Sequence, residues 1–193
     1  MDSTRSWQVL LLGGASGVGK TRVSYRLARH YDAALTEVDD FQIVLERMTS
    51  PEQYPALHAW RLQPEWVLAM TDDELLEHTQ RIGAVMAVAL APVIANHVAE
   101  QTPIVLEGDF IFPALAVSSG PRVRAVFLYE PDEAQIRRNY LAREGEAHPR
   151  RPRASWRYSE WLRAECALLG IPTVAARPWD TVLHRVVAAI EAS

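Results

Sequence analysis

Eight residues, Gly14-Ala15-Ser16-Gly17-Val18-Gly19-Lys20-Thr21, follow the apolar run Val9-Leu10-Leu11-Leu12 with the spacing G-x-x-x-x-G-K-T. A loop of this kind wraps its backbone N–H groups around the β-phosphate of a nucleotide. Its lysine reaches the β- and γ-phosphates, and its Thr hydroxyl binds Mg²⁺. A helix opening at Lys20 brings the positive end of its dipole to the same anion. The sequence therefore predicts a nucleoside triphosphate site formed by residues 14–21, with Lys20 also acting on the transferred group and Thr21 on the metal.

Transfer of a phosphoryl group to a hydroxyl needs a base, support for Mg²⁺ and positive charge over the phosphoryl oxygens. Asp39 stands just beyond the second apolar run and is expected to accept the proton of the acceptor hydroxyl. Asp40, next to it, fits a helix cap better and is a weaker candidate for substrate contact. Glu107 follows Ile104-Val105-Leu106 and is expected to support the metal; Asp109 is the runner-up there and a second substrate candidate. Gly108 is expected to let the backbone approach the substrate. Arg137, Arg138 and Arg143 precede the charged stretch His148-Pro149-Arg150-Arg151-Pro152-Arg153. Arg138 and Arg143 are the expected transition-state cations of a closing lid. Arg177, with Trp179 nearby, is expected to border the nucleotide base.

Short buried-strand runs place these groups. Residues 8–12, 34–38, 103–106, 123–128 and 172–175 are apolar and separated by helical patterns, which predicts an α/β fold with a parallel sheet. In such sheets ligands bind beyond the carboxyl ends of the strands, where the loop, Asp39 and Glu107 all fall. About sixty residues, 41–101, separate the second and third runs, where a simple crossover needs only ten to twelve. They predict a helical cap: a first helix to Met48, a middle punctuated by Pro51, Pro55 and Pro64, and a long helix over about 72–100. Thr71 and Glu74 form a capping-box signal for that helix. Arg61 and Arg81, in the cap, are the expected acceptor contacts among its polar and aromatic residues.

These landmarks together resemble the P-loop kinases of small molecules, the group containing adenylate, shikimate and gluconate kinases. Within it, Gly13 to Thr21 and Val105-Leu106-Glu107-Gly108 look like 2-phosphoglycerate kinase-like proteins. Val38-Asp39 before a helix is similar to chloramphenicol phosphotransferase, where the equivalent aspartate is implied to be the base. The resemblance implies a three-layer P-loop sandwich with a five-stranded sheet in order 2-3-1-4-5, ATP with Mg²⁺ as donor, and an acceptor beneath the cap. It implies a single domain over 1–193, with the cap at about 41–101 and a lid at about 131–155. The alternatives are a nucleoside, nucleotide or nucleotide-sugar kinase, and a P-loop ATPase that is not a kinase.

Composition narrows the partners. A chain of 193 residues with 49% hydrophobic and 23% charged residues suits one domain with a full core, and a net charge of −4 offers no general attraction to nucleic acid or anionic lipid. The single cysteine, Cys166, is expected to be a buried thiol and fits a reducing cytoplasm. The polar start, residues 1–5, reads as no signal peptide. The apolar run 82–95 contains Gly83 and Pro92 and is expected to be a buried, kinked helix too short to cross a bilayer. The expected partner is a small-molecule acceptor, with neither nucleic acid nor membrane.

Overall fold

The protein was analysed as a computed structural model, which describes residues 6–145 and 149–192. The N-terminal pentapeptide and His148, both named above, lie outside the described residues. Five strands, β1 (Val9–Gly13), β2 (Ala34–Glu37), β3 (Ile104–Gly108), β4 (Val123–Tyr129) and β5 (Thr173–Ala175), form one parallel sheet in the order β2-β3-β1-β4-β5. This is the order implied by the resemblance. β1 is central, with Leu12 in register with Glu107 on one side and Val126 on the other. Every residue of β1 and β3 is buried, which is why both read as apolar runs without alternation.

Parallel neighbours need crossovers, and the helices supply them. Helix α1 (Lys20–Tyr31) follows the loop, and α2 (Val38–Met48), α3 (Pro55–Leu62), α4 (Pro64–Ala69) and α5 (Asp72–Ala99) build the cap. The short α6 (Pro113–Ser118) follows β3, then α7 (Glu133–Glu144) and α8 (Arg151–Leu169) follow β4, and α9 (Val182–Glu191) ends the fold. α1 packs with α9, and α8 with α5, α6 and α7, so that helices flank both faces of the sheet. One continuous core runs from Trp7 through the sheet to Ile190.

Local chemistry explains most boundaries. Pro55 and Pro64 open α3 and α4, where a missing N–H costs nothing. Thr71 and Glu74 make the reciprocal capping box on α5: the Thr71 side chain accepts from the Glu74 N–H, and the Glu74 carboxylate accepts from the Thr71 N–H at 2.7 Å. Leu75, His78, Ile82, Met86, Leu90 and Ile94 then bury one stripe of α5. The helix runs on through Pro92 to 28 residues, longer than the apolar run in the sequence. Its most apolar window averages 1.9 in mean hydropathy, enough by length and composition for a membrane-crossing helix, so the expectation of a segment too short to span does not hold. In this fold it packs against α3, α8 and β1. Cys166 is fully buried in α8, and burial pushes its thiol up to about 12.

Two boundaries depart from the sequence reading. α2 begins at Val38, so Asp39 and Asp40 stand in its first turn rather than beyond a strand, and Asp40 is not the cap; Glu37 holds that position without a side-chain bond. The arginine-rich stretch is not wholly a loop, because α8 begins at Arg151 with Pro152 in its first turn.

Candidate active site

β1 delivers the loop and α1 its lysine. Gly14 lies at φ 143°, and a Cβ there would sit 2.4 Å from the Leu128 carbonyl oxygen. Gly19 lies at φ 97°, with the Trp179 ring only 2.3 Å from where its Cβ would be. Neither position accepts a side chain. Asn139 of α7 donates to the Gly17 carbonyl at 2.7 Å, which ties the loop to the neighbouring helix. Lys20 is only 6% exposed; its ammonium donates to the Ala15 carbonyl at 3.1 Å and to Asp109 Oδ1 at 2.5 Å.

Three acids face that lysine. Burial works to lower Lys20, but the charges of Asp109 and Glu107, the Asp109 hydrogen bond and the charge of Asp39 outweigh it and hold the ammonium above its ordinary value. The Thr21 hydroxyl donates to Glu107 Oε1 at 2.8 Å, leaving the hydroxyl oxygen's lone pairs for a cation. Glu107 Oε2 is buried without a hydrogen-bond partner. Burial raises the Glu107 carboxyl despite the opposing pull of Lys20 and Thr21. An orphaned carboxylate oxygen beside a threonine turned this way fits Mg²⁺, which takes few protein ligands and completes its shell with phosphate and water. Among the described residues no cluster of three or more His, Cys, Asp or Glu offers an all-protein metal cage.

Asp39 opens onto a cavity that borders the loop. The surrounding protein and then the charge of Asp109 push it up to about 6, against the pull of Lys20. Gly108 lines the same cavity, and a Cβ there would also meet Val38 Cβ at 2.6 Å, so its missing side chain admits α2 against β3 as well.

The loop borders a cavity of about 390 Å³ lined by Ser16, Lys20, Thr21, Asp39, Glu107, Asn139, Arg143 and Trp179 among others. A second cavity of about 340 Å³, under the cap, is lined by Trp60, Thr79, Phe110, Tyr140, Arg150, Arg151 and Tyr158 among others. Ser16 and Asp109 line both. Arg143 and Arg151 lie 4.9 and 4.8 Å from the centre of the Tyr140 ring, and Glu144 pairs with both. One arginine thus faces each cavity from a shared aromatic and acidic support.

The other candidates named from the sequence stand elsewhere. Arg138 is exposed and bonds Asp132 at 3.1 Å and Gln135 at 2.8 Å, lining neither cavity. Arg177 reaches Glu130 at 3.4 Å and also lines neither; Trp179 is the residue of that segment that lines the cavity beside the loop. Arg61 donates to His58 Nδ1 at 3.2 Å, which fixes that nitrogen as the acceptor. Arg81 pairs with Glu77 and borders a separate cavity beside α3 and α4. Asp40 lines neither of the two cavities that share Asp109. The sequence alone does not point to Asn139, Tyr140 or Tyr158, because no motif marks side chains that reach the site from α7 and α8.

No protein-family profile matches the chain, and no curated protein matches it in sequence. Solved structures do match in shape. A sugar kinase from Janibacter is similar with a TM-score of 0.55 and 18% identity, covering 96% of this chain and 95% of its own. A shikimate kinase from Aquifex aeolicus gives 0.52 and 15%, covering 95% and 96%. A gluconokinase from Sinorhizobium meliloti gives 0.50 and 19%, covering 97% and 93%. The fold is one that these kinases share. At such identities the likeness extends to the architecture, and the chemistry of this chain rests on its own residues.

Proposed function

We propose that the protein is an ATP-dependent kinase that transfers the γ-phosphoryl group to a hydroxyl of a small, anionic or polyhydroxylated molecule. The observation that carries this reading is the pair of adjoining cavities, one built on the phosphate loop and one under the cap, meeting at Ser16 and Asp109. A hydrolase acting on water alone has no need of the second. Residues 14–21 hold the triphosphate, with Lys20 on its β- and γ-phosphates. Thr21 and Glu107 would hold Mg²⁺, which supplies charge neutralisation on the phosphates.

Asp39 takes the proton of the acceptor hydroxyl as the new oxygen–phosphorus bond forms and the bond to the leaving ADP oxygen breaks. Arg143 stabilises the equatorial oxygens, the role also expected of Arg138 from the sequence. Arg150 and Arg151 offer charge-assisted bonds to a carboxylate or phosphate on the acceptor, between the aromatic walls of Trp60 and Phe110. About 340 Å³ is near the lower end of small-molecule sites and favours a compact metabolite or drug over a nucleotide sugar. The resemblance to 2-phosphoglycerate kinase-like proteins and chloramphenicol phosphotransferase adds a phosphorylated hydroxy acid and a phenicol to the acceptors worth testing. A cytoplasmic setting, free of nucleic-acid and membrane partners, accords with such a substrate and with the acidic net charge.

The test is ADP release measured against a panel of sugars, sugar acids, phosphorylated hydroxy acids, nucleosides and phenicol or aminoglycoside drugs. Acceptor-dependent ADP release with a phosphorylated product is the expected result. ADP release independent of every panel member, or stimulated only by nucleic acid, overturns the kinase reading.

A further inference from the structure

Asp109 stands at the junction of the two cavities with its main chain fixed and its carboxylate engaged. Its backbone carbonyl accepts from the Tyr158 hydroxyl at 2.8 Å. Tyr158 is buried, and burial followed by the Asp109 charge raises its phenol far above the ordinary value, so it stays a donor. The residue before it, Gly108, ends β3 with Val38 packed where a side chain would stand. The carboxylate is therefore the part of Asp109 free to turn. In the ligand-free protein its Oδ1 holds Lys20, the group that a bound triphosphate must recruit.

Resting on the kinase reading, we propose that Asp109 is a nucleotide-released positioning residue for the acceptor. Bound triphosphate takes the Lys20 ammonium, because a multiply charged phosphate outcompetes one carboxylate for it. The freed carboxylate, now beside a polyanion, is driven by like-charge repulsion toward the other cavity that it lines. The arginines of that cavity already hold acids, Arg150 with Asp72 and Arg151 with Glu144, so the carboxylate takes a further donor. A hydroxyl of the acceptor supplies one in a charge-assisted bond, and this holds the acceptor next to the γ-phosphate. Nucleotide binding in the free enzyme thus works against the Lys20–Asp109 pair, and acceptor binding is strengthened by nucleotide, reciprocally. The chemical class selected is a molecule with at least one hydroxyl besides the one phosphorylated, a polyol or hydroxy acid.

The experiment compares the full chain with its Asp109→Asn and Asp109→Ala variants. Calorimetric titration with Mg²⁺ and a non-hydrolysable ATP analogue is expected to show both variants binding about threefold to tenfold more tightly, since Lys20 is no longer shared. The ¹³Cγ resonance of Asp109 in the parent protein is expected to move on addition of the analogue. With the acceptor found by the panel, Asp109→Asn is expected to raise the acceptor KM by roughly tenfold to a hundredfold with a smaller change in kcat. Unchanged or weaker analogue binding in both variants, or an unmoved resonance, overturns the exchange at Lys20. An unchanged acceptor KM overturns the positioning role. If the parent protein binds no nucleotide, or the panel yields no acceptor, the kinase reading itself has failed, and this is seen before any variant is made.

Discussion

Asp39 and Lys20 carry opposite demands within one small volume. The proposed base must lose its proton near neutrality, and its surroundings in the protein, then the charge of Asp109 against the pull of Lys20, set when that happens. With Asp39 at about 6 and acting as the proposed base, kcat/KM of the proposed kinase reaction is expected to climb as pH rises through 6 and level off above it. Asp39→Asn is expected to leave ATP affinity close to that of the parent and lower kcat by roughly a hundredfold or more. The same raised value has a cost in stability. Between about 4 and 6 the folded protein binds protons at Asp39 that the unfolded chain has released, so this group's contribution to stability falls as pH rises through that window. Ligand-free Asp39→Asn is therefore expected to melt higher than the parent at pH 7.5, with the gap closing below about pH 4. Thermal denaturation across pH checks the sign. A variant that melts lower than the parent at pH 7.5 would remove Asp39 from the cluster of crowded acids.

At the scale of elements, what the sequence disclosed was what depends on neighbours along the chain. Thr71 and Glu74 announced α5 because both partners of a capping box lie within four residues. Thr71→Ala is expected to cost about 1 kcal/mol and to lower the melting temperature by about 2–4 °C, measured by circular dichroism. The buried strands were legible for a similar reason, since a strand covered on both faces needs no alternation. Val38 misled because a β-branched apolar residue after a strand reads as more strand, whereas its packing on Gly108 starts a helix there. The role of α8 was also hidden. Arg150, Arg153 and Arg157 reach Asp72 at the first turn of α5, a contact across some eighty residues that no local pattern encodes. These pairs are partly exposed and add little stability, but they tie the cap helix to the wall bearing Arg150 and Arg151. Asp72→Asn is accordingly expected to change unfolding free energy by less than about 1 kcal/mol, while raising the acceptor KM with ATP affinity unchanged.

The whole molecule is a parallel sheet whose loop-bearing edge gathers Lys20, Asp39, Glu107 and Asp109, and the sensitivity to ligand expected of it follows from that. Lys20, Glu107, Asp39 and Asp109 face each other in an arrangement with more acid than base, an excess of negative charge that a cation entering with the triphosphate is expected to offset. Stabilisation by a ligand that binds only the folded state follows its concentration relative to Kd: about 2.7 kcal/mol at a hundred times Kd. For a domain of this size that corresponds to a rise in melting temperature of about 5–10 °C. Mg²⁺ and ATP together are expected to produce it. ATP with a chelator should give a smaller shift, because the orphaned Glu107 oxygen and the neighbouring acids then face the triphosphate without a cation between them. Lys20→Ala should lose most of the shift while the ligand-free protein still unfolds in one cooperative transition. No shift with either Mg²⁺–ATP or Mg²⁺–GTP would mean that the loop, for all its geometry, holds no nucleotide, and the reading of both cavities would fall with it.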